Sequence, residues 1–193
     1  MRKRGPGFVA IVHVATLLAA VSSPSPAACS SGRDIEVSVQ RSSEGYSIEG
    51  RFTSPATPEQ AWKVLTDYEA IPSFVGSMRT SRVLRRSDGF VYLLQKSSAG
   101  ALFFRRTISL LLKVREAAPR EIDFTDLSGK SFRTYEGSWR LSPRTTGVGV
   151  VYRLRADGGS IDGHWFSGFA AKWVASSLLE GVCDEMRRQA AGH

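Results

Sequence analysis

The chain has 193 residues, of which 42% are apolar and 23% charged, and a formal net charge of +8. That length suits one compact domain with a removable leader, and the composition excludes a disordered or collagenous chain. Two cysteines, Cys29 and Cys183, do not make a disulfide framework. A domain of about 160 residues buries enough core to need no such staples.

The first residues read as a leader, not as part of the fold. Arg2, Lys3 and Arg4 form a positive start, Phe8 to Val21 is apolar apart from His13 and Thr16, and Ser22 to Ala28 is small and proline-rich. This is the anatomy of a secretory signal peptide, too short and too abruptly ended for a spanning helix. Ser25-Pro26-Ala27 offers the small-x-small cleavage pattern, so residues 1–27 are expected to leave; an uncleaved amphipathic anchor is the alternative. Cys29 hints at a lipid-anchored protein, although Pro26 and the early end of the apolar run argue against it. Removing the leader takes three of the 26 basic residues and none of the 18 acidic ones, leaving +5. Residues 28–44 then form an N-terminal extension, and residues 45–193 a single domain.

Ile35, Val37 and Val39 alternate with polar residues, as do Tyr46, Ile48 and Phe52, and Glu44-Gly45 lies between them. The pattern predicts a hairpin. Thr57, Pro58 and Gln60 are arranged as a helix-capping box, and Ala61, Trp62, Leu65 and Tyr68 follow at helical spacing until Pro72 and Gly76. Six strands are predicted next, near residues 77–86, 90–97, 102–115, 121–127, 132–141 and 148–155, each bounded by Gly, Pro or Asp turns. Trp165 to Gln189 contains no proline and carries Phe166, Phe169, Ala170, Trp173, Val174, Leu178, Val182 and Met186 on one broad stripe. This predicts a long amphipathic helix whose apolar side is covered by the sheet. The fold class is therefore α+β, a curved antiparallel sheet of about seven strands around a long C-terminal helix. The space between them is the expected ligand site. Cys183, on this helix, reads as a small buried hydrophobe.

The segment SPATPEQAWKVLTDYEAIPSFVG, with Trp62, Leu65, Thr66, Asp67, Tyr68, Pro72 and Phe74, resembles the opening helices of the polyketide cyclase/dehydrase and coenzyme Q-binding branch of the START-like superfamily. YEGSWRLSP and TTGVGVVYRLRAD resemble that branch's paired late strands. The resemblance spans roughly residues 45 to 190. It implies a seven-stranded helix-grip fold with a hydrophobic cavity that takes lipids, sterols, polyketides or quinones. A few members catalyse cyclisation or dehydration, with catalytic residues that are not shared. The export signal and the extra strand at Ile35 to Gln40 depart from the usual pattern.

Proton-transfer catalysis usually needs a histidine or a tuned carboxylate. His13 leaves with the leader and His193 ends the chain. His164, near Asp162, is the remaining weak catalytic candidate, and a solvent-exposed histidine at the start of the helix is the simpler reading. Glu121, Asp123 and Asp126 share a strand; Glu121 and Asp123 point to one face with Thr125, and Ile122 and Phe124 to the other, so the acids read as a solvated outer surface. Arg105 and Arg106 are adjacent and point to opposite faces, so one is expected to look inward. It would meet either a ligand's polar head or an internal acid such as Glu136. Tyr135, Trp139, Tyr152, Phe166, Phe169, Trp173 and Arg105 are the candidate cavity residues. Such aromatics supply apolar area with one polar handle.

No metal-ligand spacing, phosphate loop or nucleophile motif occurs, so neither metal nor cofactor is expected. The sequence favours a binding protein for a hydrophobic small molecule over an enzyme, with a ligand-free envelope protein as a third reading. Arginine clusters at Arg79, Arg82, Arg85 and Arg86 allow contact with an anionic membrane surface, though a solvated basic surface is the plainer account. No nucleic-acid motif is present. The sequence leaves the oligomeric state open.

Overall fold

The computed structural model describes residues 35–99, 106–158 and 168–192. Strands β1 (Glu36–Ser42) and β2 (Gly45–Ser54) form the expected hairpin. The capping box at Thr57 is complete. The Thr57 hydroxyl accepts from the Gln60 backbone N–H at 3.2 Å, and the Gln60 side chain accepts from the Thr57 N–H at 2.9 Å. It opens α1 (Pro58–Thr66), and one turn of helix, α2 (Ile71–Phe74), follows. The meander is β3 (Met78–Ser87), β4 (Phe90–Ala99), β5 (Arg106–Ala117), β6 (Glu121–Asp126), β7 (Thr134–Arg144) and β8 (Gly147–Asp157), and α3 (Gly168–Ala190) ends the fold.

All strands among the described residues belong to one antiparallel sheet of eight, in the order β1-β2-β8-β7-β6-β5-β4-β3. The predicted hairpin and the six predicted strands of the meander account for these eight, and the extra N-terminal strand joins the same sheet. β1 pairs along its whole length with β2 and forms the sheet edge. The opposite edge is bent by two register shifts between β3 and β4, which add local twist.

Alternation separates the two faces of the sheet. Ile48, Phe52, Leu93, Leu112, Val114, Ile122, Phe124, Leu141, Val150 and Leu154 are buried on the inner face. The outer face carries ion pairs: Arg115 and Arg140 with Glu121 and Asp123, Arg51 and Arg153 with Glu49, and Arg155 with Glu44 and Glu136. The expectation of outward acids on β6 is met, with arginine partners added. Asp126 serves the chain reversal instead, accepting from the N–H groups of Leu111 and Ser128 at 2.8 and 3.0 Å.

The helix α3 packs on β1, β2, α1 and α2 through a face rotated from the expected one. Its buried residues are Ala171, Ala175, Leu179, Val182, Cys183 and Met186. Phe169 is 82% exposed and Trp173 51% exposed. The reason is close approach. A Cβ at Gly50 on β2 would collide with the Leu179 side chain, and one at Gly181 would collide with the Phe74 carbonyl. These close contacts at Gly50 and Gly181 fix the rotation of the helix, with Ala171 and Ala175 inside and Phe169 and Trp173 outside. Gln60 of α1 also donates to the Gln189 carbonyl at 3.0 Å, which ties the two helices together.

Cys183 is buried, as expected, but is not a simple thiol: it is engaged in a disulfide. The chain's other cysteine, Cys29, lies outside the described residues.

Candidate functional site

Helices α1, α2 and α3 cover the inner face of the sheet without filling it. A cavity of about 100 Å³ remains. Its helical wall comprises Val64, Leu65, Tyr68, Ile71, Phe74, Leu178 and Val182, and its sheet wall Met78, Leu93, Gln95, Leu112, Val114, Ile122, Phe124, Tyr135, Trp139 and Tyr152. The free volume is roughly that needed by one aromatic ring. Ile71, Phe74, Met78, Gln95 and Leu178 keep partial exposure, so α2, β3, β4 and α3 meet where the wall is thinnest.

Three of the sequence candidates stand together in this wall. Trp139 and Tyr152 are register partners across β7 and β8, with ring centroids 4.5 Å apart. The Phe124 ring stacks on Tyr152 at 6.3 Å and tilts against Tyr135 at 6.0 Å, while Phe132 closes on Tyr135 at 5.0 Å. Aromatic pairs at these separations contribute beyond the area they bury. Phe169 and Trp173 are not in the wall; they face solvent on α3. Phe166, Arg105, Asp162 and His164 lie outside the described residues.

The cavity's polar groups are few and mostly partnered within the protein. The Tyr68 hydroxyl donates to Glu116 Oε1 at 2.7 Å, and Arg86 approaches the same oxygen at 3.5 Å. Burial first, and then this bond to Glu116, push the Tyr68 phenol far above its ordinary pKa. Gln95 Nε2 donates to the buried Ser81 hydroxyl at 3.1 Å. The phenols of Tyr135 and Tyr152 both line the cavity and lie close enough to influence each other's titration. Burial pushes Tyr135 up to about 12 and Tyr152 well above its usual value. At neutral pH all three phenols are therefore protonated donors, unsuited to abstracting a proton.

Sequence reasoning missed Tyr68 as a wall residue and both the Tyr68–Glu116 and Gln95–Ser81 pairs. Tyr68 and Glu116 lie 48 residues apart, and nothing local links them. The alternation of β4 does place Gln95 on the same face as Leu93, a signal that was available. Among the described residues no cluster of His, Cys, Asp and Glu is arranged to hold a metal, and no charged side chain lines the cavity. No described helix is long and apolar enough to cross a membrane.

The arrangement has solved counterparts. A STAR-related lipid transfer protein from Xanthomonas axonopodis is similar at a TM-score of 0.58 and 22% identity, over 82% of this chain and 94% of that one. Human STARD10 is similar at 0.61 and 12% identity, over 79% and 69% of the two chains. The Zhui aromatase/cyclase of Streptomyces sp. R1128 is similar at 0.54 and 13% identity, over 75% and 93%. At these identities the likeness shows the helix-grip fold. No curated protein matches the sequence. Residues 54–183 match the family described as polyketide cyclase / dehydrase and lipid transport. That match spans α1 through most of α3, and by it the chain belongs to the polyketide cyclase/dehydrase and lipid transport family.

Proposed function

We propose that this chain is an exported binding protein that holds a hydrophobic small molecule, such as a lipid, a quinone or a polyketide-like compound, between the sheet and α1, α2 and α3. The observation that carries the reading is the cavity itself: an interior space with an apolar and aromatic wall and, among the described residues, no charge. Left without a ligand, such a space forfeits the contacts that a filled interior would make. A ligand larger than one ring requires the wall to yield, and Met78 and Leu178, flexible and partly exposed, are placed to do so.

Two features support export. The first residues have the layout of a signal peptide. The disulfide at Cys183 suits an oxidising compartment. Contact with an anionic membrane surface has its own support: Phe169 and Trp173 are exposed one turn apart on α3, with Lys172 between them in sequence. An aromatic pair beside a cation suits the boundary between headgroups and acyl chains. Flotation with vesicles of phosphatidylglycerol should recover the protein, and Phe169→Ser with Trp173→Ser should lose most of that recovery.

Native mass spectrometry of the protein purified from an exporting host tests the main reading, with organic extraction of whatever travels with it. The expected result is a stoichiometric apolar molecule. An empty protein that also binds no hydrophobic probe would move a ligand-free structural role into first place. The family also contains cyclases, and under that alternative His164→Ala would abolish turnover of a substrate so found. Unchanged binding with no turnover to lose would sink it.

A further inference from the structure

Within the proposed binding reading, on which this inference rests, we infer that the cavity selects an uncharged ligand bearing a hydrogen-bond-accepting oxygen, a ketone or its equivalent, and rejects carboxylate ions of the same shape. The argument begins with what is missing from the wall. Among the described residues lining it there is no lysine, arginine or histidine, and its helical and sheet sides are otherwise apolar. A carboxylate moved there would lose its water and gain no countercharge, which is strongly unfavourable.

The nearest ionic group that touches a wall residue has the wrong sign. Glu116 accepts the Tyr68 hydroxyl, so that phenol is already committed to an anion. Arg86 is a cation near that corner; its side chain is 56% exposed and it reaches Glu116 itself. The Gln95 amide is likewise engaged, donating to Ser81.

The Tyr135–Tyr152 pair differs. Two phenols that line the cavity carry two protons, and a contact between them can use at most one. One donor therefore remains on the pair, at the aromatic end of the cavity beside Phe124 and Trp139. A buried donor favours a ligand with an acceptor over an analogue without one. Both phenols stay protonated at neutral pH, so the donor is present throughout the physiological range.

The test uses three one-ring probes of nearly equal shape at pH 8, in titrations of the purified full protein followed by NMR: acetophenone, ethylbenzene and benzoate. Acetophenone should bind about fivefold or more tighter than ethylbenzene, the difference expected of one hydrogen bond. Benzoate should bind at least about tenfold more weakly than acetophenone. In the double variant, Tyr135→Phe with Tyr152→Phe, no phenol donor is left and the preference for acetophenone over ethylbenzene should shrink, while a cooperative unfolding transition shows that the variant is folded. Benzoate binding as tightly as acetophenone would overturn the inference and leave the cavity reading intact. A ketone preference unchanged in the double variant would overturn the role given to the tyrosines. If none of the three probes binds, the binding reading itself fails and this inference falls with it.

Discussion

The two faces of the sheet are built from the same strands and solve opposite problems. On β6, Ile122 and Phe124 point inward and line the cavity, while Glu121 and Asp123 point outward to Arg115 and Arg140. The outer face neutralises charge with charge in water. Among the described residues, the cavity wall on the inner face carries only neutral polar groups. The difference teaches where specificity resides. Outer ion pairs are screened and contribute little each, whereas under the proposed binding reading an inner hydroxyl would decide which ligand atoms are tolerated.

Breaking the inner face should give the largest effect. Phe124→Ala removes a buried ring that holds both Tyr135 and Tyr152, and should destabilise the protein by about 3–5 kcal/mol in urea unfolding. A change as small as that of a surface substitution would mean that the aromatic cluster does not support the fold.

Alkaline titration sharpens the same comparison. Tyr135 and Tyr152 have folded pKa values above the ordinary value of 10.0, so the folded state holds their protons more tightly than the unfolded state does. Their contribution is fully present below about pH 10 and is lost as pH rises through the raised values. Unfolding midpoints should be flat to about pH 10 and fall beyond it, and Tyr152→Phe should reduce that fall.

Between the two faces in magnitude stands the helix cap. Thr57→Ala removes the acceptor for the Gln60 N–H at the start of α1 and should cost about 1 kcal/mol. The outer face should respond least. Asp123→Ala breaks pairs with Arg115 and Arg140 that are about a third exposed on the acid side. It should cost no more than about 1 kcal/mol, and less in high salt. Those arginines hold the Asp123 carboxyl below its usual range, as Arg153 and Arg51 do for Glu49. Their small contribution is present above about pH 4 and disappears as pH falls below it.

The layered plan was readable because alternation and turn chemistry are local. Glu44-Gly45 marked the first hairpin, the Thr57–Gln60 box marked α1, and the alternation of Ile122 and Phe124 with Glu121 and Asp123 gave the two faces of β6. The inward face of Tyr135, Trp139 and Tyr152 followed from the same period of two. The face of α3 was not readable by the same means. The broad apolar stripe put Phe169 and Trp173 inside, whereas the close contacts at Gly50 and Gly181 set a rotation that buries Ala171 and Ala175 instead. Polar partners separated along the chain, such as Tyr68 with Glu116, have no local signal. The disulfide at Cys183 was equally silent, because two cysteines alone do not declare a bond.

The most direct test of the central claim blocks the cavity from its thin side. Leu178 lines it from α3 and is only partly buried, so Leu178→Trp can fill the space with little disturbance to the sheet. Ethylbenzene would be titrated into the parent protein and the variant, with unfolding midpoints measured alongside. The account predicts saturable binding to the parent, weakened about tenfold or more in the variant, whose stability changes by less than about 1.5 kcal/mol. Equal binding to both proteins would contradict it and move the ligand away from the space between sheet and helices.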